Sequence, residues 1–353
     1  MKNPINKKKW LHQPGVLAAL AAALLFGAGT PFAKLLLITV DPWLLAGLLY
    51  IGSGIGLTLY RYLSNAPGVT LPRHEALWFA GAIVSGGIVA PVLLMFGLTT
   101  MPASGASLLL NAEGVFTTLL AWFAFKENFD RRISLGMFAI IAGAVVLSWQ
   151  GDASFSGLWP ALALLGACFA WGIDNNLTRK VSLSDTTWIA AMKGLVAGSV
   201  NLALAFLFGT ALPSLPIVVG AMVVGFFSYG VSLALFVIGL RLLGTARTGA
   251  YFSVAPFVGA ILSLAFGEPV TLPLVLAGIL MAIGIWLHLT EKHEHKHTHT
   301  LLEHVHTHTH DEHHQHTHDV PATQELQHNH QHRHLVLTHV HDHFPEAHHQ
   351  HKH

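Results

Sequence analysis

Charge is what this sequence has least of. Asp, Glu, Lys and Arg make up 10% of its 353 residues, while 52% are hydrophobic. A soluble globular domain carries roughly 25% charged residues, so a soluble body is excluded and a membrane composition is indicated. The formal net charge is +1 and no basic stripe is present, which leaves no footprint for nucleic acid. One cysteine, Cys168, lies in an apolar run. It excludes an intrachain disulfide and reads as a small packing residue. No nucleophile–base set, nucleotide-binding loop or redox motif occurs. These absences predict no enzyme activity, no required cofactor and no drive from ATP, leaving an ion gradient as the energy source.

Long hydrophobic runs are what the chain does have. A membrane-crossing helix needs roughly 20 apolar residues. Ten runs qualify, at about 14–39, 43–60, 76–98, 103–125, 133–149, 157–178, 187–208, 216–240, 247–266 and 272–289. The predicted fold is an all-α polytopic membrane protein of ten transmembrane helices. Lys7, Lys8, Lys9, Arg61, Arg73, Lys126, Arg131, Arg132, Arg179, Lys180, Arg241 and Arg247 all fall in segments on one side. Asp41, Asp152 and Glu268 fall on the other. By the positive-inside bias both termini are cytoplasmic, in a bacterial-type inner (plasma) membrane.

The chain also repeats itself. "GLTTMPASGASLLLNAEGVFTTLLAWFAFKENF" from Gly97 matches "GLRLLGTARTGAYFSVAPFVGAILSLAFGEPV" from Gly239. Gly97 and Gly239 are 142 positions apart, as are Gly136 and Gly278. "FGAGTPFAK" at Phe26 is similar to "WGIDNNLTR" at Trp171. Two copies of five spans, 14–149 and 157–290, follow a short cytoplasmic N-terminus, 1–13. Five is odd, so the second copy enters the membrane inverted, a pattern found in secondary transporters.

These stretches resemble the EamA branch of the drug/metabolite transporter superfamily, over essentially all of residues 14–290. The segments ending in Glu127 and Glu268 are similar to that family's Pro…Gly-Glu stretch. Pro256 is kept in the second copy, whereas the first has Glu113–Gly114. The resemblance implies a secondary transporter, usually an exporter of small metabolites or amino acids, and it does not fix the substrate.

Ionisable side chains at membrane depth are costly and face the bundle interior or a water-filled path. Candidates for that path are Glu113, Asn111, Asp174, Asn175, Asn176, Lys193 and Thr30. Glu113 suits a proton or cation carrier. It lies roughly 160° from Asn111 on a regular helix, so only one of the two faces a narrow cavity and the other packs. Asp174 and Lys193 lie on consecutive antiparallel spans at similar depth. They read either as a buried ion pair or as the inner mouth of the path. Gly27, Gly29, Thr30 and Pro31 predict an interrupted first span with free carbonyls. Ala139-x-x-x-Gly143 and Gly278-x-x-x-Ala282 suit close helix packing, within one chain or at a homodimer seam.

After residue 290 the composition changes. All but His12, His74 and His288 of the 26 histidines lie from His293 onward. Residues 291–353 contain no apolar run long enough to fold and predict a disordered cytoplasmic tail. Neutral imidazole binds nickel, cobalt and zinc. Candidate ligands are His304, His306, His308, His310, His313, His314, His316, His318, His339, His341 and His343, in local His-x-His sets. Two readings follow, and a third lies outside transport, a membrane-tethered metal store. In one the protein exports divalent metal ions collected by the tail, coupled to protons through Glu113. In the other the body exports an organic metabolite or amino acid, and the tail buffers or senses metal.

Overall fold

The computed structural model describes residues 14–125, 131–148, 155–181, 184–243, 245–289, 294–298, 302–308, 328–334 and 338–342. The chain divides into a body, Met1–Glu291, and a tail unit, Lys292–His353. Every regular element described in the body is helical: α1 Pro14–Leu36, α2 Pro42–Leu63, α3 Arg73–Thr100, α4 Ala103–Leu109, α5 Ala112–Phe125, α6 Arg131–Ser148, α7 Phe155–Thr178, a 3-10 turn Arg179–Val181, α8 Thr186–Leu207, α9 Leu215–Leu243, α10 Thr245–Phe252, α11 Ala255–Ala265 and α12 Leu272–Leu289. Five of them are each long and apolar enough to cross a membrane: α1, α2, α3, α8 and, over Leu215–Gly239, α9.

Local chemistry sets the boundaries. Asp41 caps α2, its carboxylate accepting from the N–H groups of Trp43 (2.9 Å) and Leu44 (3.4 Å), with Pro42 in the first turn. Asp185 caps α8 through the Trp188 N–H at 2.9 Å. Gly209 and Gly267 follow the ends of α8 and α11 with φ of 81° and 99°, the left-handed turn that a glycine makes without a Cβ clash.

The helices pair between the two halves. α1 packs on α9, α10 and α11 of the second half, and α7 packs on α3 and α5 of the first. α2 lies against α8, and α6 against α12. Exchanging the halves leaves this pattern unchanged, as internal two-fold pseudosymmetry requires. Contact along α2–α8 is backbone to backbone: a Cβ on Gly54 would strike Gly194 and Leu195, and one on Gly194 would strike Gly54. Gly143 of α6 meets Met281 and the Ala277 carbonyl of α12, while Gly284 meets the Gly136 carbonyl. Gly143, of the small-residue pair in the fifth run, thus packs inside one chain.

Three features of the body differ from the sequence expectation. α1 is continuous through Pro31 rather than interrupted. Its glycines serve close approach, Gly27 against Ala255 and Gly29 against Ser228. The fourth and ninth runs, expected as single helices, are broken at Leu110–Asn111 and at Ser253–Val254. The third and eighth each contain a π-helical stretch, Ile83–Val89 in α3 and Phe226–Val231 in α9. Breaks and π turns both recur at matching places in the two halves.

In the tail unit the described segments pair β1 Glu294–Thr298 with β4 Thr338–Asp342, and β2 Leu302–His308 with β3 His328–His334, both antiparallel. Strict alternation with Thr and Val at intervals is a strand pattern.

Candidate functional site

The site begins with Pro91. Having no N–H, it cannot satisfy the Gly87 carbonyl four residues earlier. In the π stretch the Ala90 N–H bonds instead to Ser85, so Gly86 would need Pro91 as its own donor. Two carbonyls are therefore left to side chains. Gly86 accepts from the Tyr50 hydroxyl (2.7 Å) and from Trp171 Nε1 (3.0 Å), and Gly87 accepts from Asn201 Nδ2 (3.2 Å). One proline thereby fixes two aromatic side chains, from α2 and α7.

Those aromatics wall a cavity within the body. Phe26 is part of that wall, edge-on to Trp171 (6.0 Å between centroids) and Tyr229 (5.9 Å), and 5.3 Å from Phe252. Tyr50 and Phe236 extend the wall. The polar lining is Ser53, Glu113, Asp174, Asn175, Lys193, Ser228 and Ser232.

Asp174 occupies space that Gly86 leaves open; a Cβ there would collide with the carboxylate. Lys193 Nζ is 2.6 Å from both carboxylate oxygens, and the Thr178 hydroxyl donates to Oδ1 at 2.7 Å. Both side chains of the pair are deeply buried, 5% and 7% exposed. The two side chains form an ion pair that lies on the cavity wall, an arrangement common to both expected readings.

Glu113 sits in the first turn of α5, just after the break, where the helix dipole favours a carboxylate. It is partly buried, and its Oε1 accepts from Asn175 Nδ2 at 2.8 Å. Asn111 points elsewhere: its Nδ2 donates to the Leu108 carbonyl (2.9 Å) and lies 3.6 Å from Met281 Sδ. Glu113 faces the cavity and Asn111 packs at the break. Cys168 is buried there too, its thiol 3.8 Å from the Leu109 carbonyl.

Glu113, Asp174, Asn175 and Lys193 are thus brought together. Asn176 is turned aside, donating to the carbonyls of Gly172 (2.8 Å) and Thr117 (3.2 Å). Thr30 is buried in α1 and does not line the cavity. Lys34 ties α1 to the end of α3, donating to the Leu98 (2.5 Å) and Thr99 (3.2 Å) carbonyls. Glu268 caps α4, accepting from the N–H groups of Ala103 (2.7 Å) and Ser104 (2.8 Å). Glu127 lies outside the described residues, as do His310, His313, His314, His316, His318 and His343 among the expected metal ligands. Sequence reasoning missed the aromatic wall and the serines; the signal was Trp171 and Tyr229 in mid-run, away from the membrane interfaces where such residues anchor.

At one end of α2, Arg61 donates to Asp185 (2.5 Å), to Thr187 (2.7 Å) and to the Pro67 carbonyl (2.7 Å), clasping α2 to α8. Burial alone pushes the Asp185 carboxyl up. Bonds from the Thr187 hydroxyl and the Trp188 N–H, with the Arg61 charge, outweigh it and hold Asp185 below the usual range.

The chain has known relatives. An uncharacterised transporter from Methanothermobacter thermautotrophicus is 30% identical over 297 residues, covering 77% of this chain and 85% of its own. A probable amino-acid metabolite efflux pump of Salmonella typhimurium is 30% identical over 169 residues, covering 46% of this chain and 52% of its own. A solved crystal structure with 18% identity has the same fold, with a TM-score of 0.62 over 78% of this chain and 98% of that one. The EamA-like transporter family model matches twice, at residues 13–149 and 158–290, one match to each half. The chain belongs to the EamA-like transporter family and is an integral membrane transporter rather than an enzyme.

Proposed function

We infer that the protein is a secondary exporter of a small organic molecule, such as an amino acid or related metabolite, working by alternating access and coupled to protons through Glu113. The observation that carries this reading is the cavity, an aromatic enclosure with one carboxyl, Glu113, not already held by a cation. Small-molecule sites are of this kind, largely apolar with a few placed polar groups. Lys193 neutralises Asp174, so the cavity's charge is set by Glu113. A proton and a substrate ammonium compete for that carboxyl, and the competition is the coupling. The efflux-pump relative from Salmonella typhimurium supports an amino-acid type of substrate. Permeation by bare nickel, cobalt or zinc would have to use Glu113 and Asp174 among aromatic rings, with Asp174 already bound by Lys193.

The same reading takes the body as ten crossings in two inverted repeats of five. α4 with α5, and α10 with α11, each form one broken crossing. Both termini lie in the cytoplasm of a bacterial-type cell, by the one-sided Lys and Arg distribution. The broken crossings act as hinges, and the two halves rock about the cavity.

Ligand-dependent thermal stabilisation of the purified protein tests the substrate class. Amino acids, amines and divalent metal ions are compared on the full chain and on residues 1–290. An organic ligand should stabilise both chains and lose its effect in Glu113→Gln. Stabilisation of residues 1–290 by nickel, cobalt or zinc alone would overturn the reading.

A further inference from the structure

Most hydrogen-bond donors on the cavity wall are already engaged. Lys193 Nζ lies 2.6 Å from both oxygens of Asp174 and 3.5 Å from the Thr178 hydroxyl, which occupies its ammonium protons. The Asn175 amide donates to Glu113 Oε1 (2.8 Å) and to the Thr117 hydroxyl (3.2 Å). Tyr50 and Trp171 donate to the Gly86 carbonyl, and the Ser232 hydroxyl donates to the Ala22 carbonyl at 2.9 Å. The hydroxyls of Ser53, Ser228 and Tyr229 are different. They line the same cavity, and none has a hydrogen-bond partner among the described residues. Yet these residues are only 2%, 4% and 9% exposed. Buried hydroxyls are ordinarily satisfied, so a group of them left open on one wall points to a ligand. They also belong together. Ser228 and Tyr229 are consecutive in the π stretch of α9. Ser53 of α2 stands against the next residue, Gly230, where a Cβ would come within 3.0 Å of its Oγ.

We propose that Ser53, Ser228 and Tyr229 form the subsite for the carboxylate of a zwitterionic amino acid. This rests on the reading of the body as an exporter whose Glu113 takes the substrate ammonium. A carboxylate offers about four lone-pair positions and donates nothing, so all of these hydroxyls can donate to it at once. An ammonium only donates, and it goes to Glu113, the wall carboxylate that no cation holds. Lys193 is committed to Asp174, so the substrate carboxylate is fixed by hydrogen bonds alone. Hydrogen bonds to a charged group are the stronger kind, and without a full ion pair the ligand can still leave, as a carrier requires. The amino-acid side chain is left to the aromatic wall, in keeping with sites where a few placed polar groups set orientation.

Calorimetric titration of the full chain in detergent tests this with two probes, leucine and isopentylamine, which is leucine without its carboxylate. Leucine should bind the native chain more tightly. Ser53→Ala, Ser228→Ala and Tyr229→Phe should each weaken leucine by about tenfold and leave isopentylamine unchanged. Tyr229→Phe keeps the ring contacts with Phe26 and Tyr50, so its effect reports the hydroxyl. Glu113→Gln should weaken both probes together. Equal losses for both probes in the hydroxyl variants would make these residues part of the packing and overturn the subsite, while dependence on Glu113 kept the exporter reading standing. Leucine binding no tighter than isopentylamine in the native chain would overturn the subsite as well. Indifference of both probes to Glu113→Gln would count against the exporter reading, and leucine-selective losses at the hydroxyls would still place the carboxylate there.

Discussion

α1 and α7 occupy equivalent places in the two halves and have been given opposite chemistry. Phe26 and Trp171 match, and both wall the cavity. Three residues further on, α1 has Gly29 and α7 has Asp174. The partner elements compensate. Gly29 lies against Ser228 and Tyr229 in the π stretch of α9, while Asp174 lies against Gly86 in the π stretch of α3. Bulk on one helix faces a glycine on the other, and the assignment is reversed between halves. Pseudosymmetry governs the scaffold, and its local violation makes the site: Asp174 of α7 has only Gly29 as its counterpart in α1.

Four experiments test that asymmetry, in descending size of effect. Lys193→Met leaves Asp174 buried without its cation and should cost about 3–5 kcal/mol, read as a lower unfolding temperature in detergent. Adding Asp174→Asn to it should recover most of the loss, since a deleted pair costs less than a broken one. On the α1 side, Lys34→Met removes only a helix-terminus contact, for about 0.3–1 kcal/mol. Similar losses at Lys193 and Lys34 would erase the distinction.

Gly86→Ala should displace the Asp174 carboxylate, while Gly29→Ala should push back Ser228. Both overpack, for about 1–3 kcal/mol, but only Gly86→Ala should also impair transport, measured as substrate counterflow. Glu268→Gln weakens the charged cap of α4 by about 1 kcal/mol and should leave counterflow intact, in contrast to Glu113→Gln.

The smallest effect concerns acid. Asp185 is held below its ordinary pKa of 3.8, so its contribution is full above that value and is lost as pH falls through the lower folded value. Unfolding temperature should therefore drop more steeply below about pH 4 for the native chain than for Asp185→Asn. Parallel pH curves would show that the Arg61 clasp contributes nothing.

The repeat was legible in the sequence because it shows as equal intervals between glycines and matched apolar runs. So were Glu113, Asp174 and Lys193, since an ionisable residue stands out in hydrocarbon. Two things were hidden. The π stretches depend on which donor satisfies which carbonyl, and Pro91 reveals that only once the carbonyls of Gly86 and Gly87 are traced. The wall of Phe26, Tyr50, Trp171 and Tyr229 was hidden because aromatics in apolar runs look alike until packing turns them inward or outward. Gly27, Gly29 and Pro31 suggested a broken first helix, yet close approach of α9 and α11 uses the glycines and the helix runs on.

The most direct test of the central claim is transport by residues 1–290 alone, in proteoliposomes with an imposed pH gradient, offered labelled amino acids and labelled nickel. The account expects organic uptake equal to that of the full chain, absent in Glu113→Gln, with no nickel uptake. Nickel uptake through the shortened chain, or organic transport that survives Glu113→Gln unchanged, would contradict it.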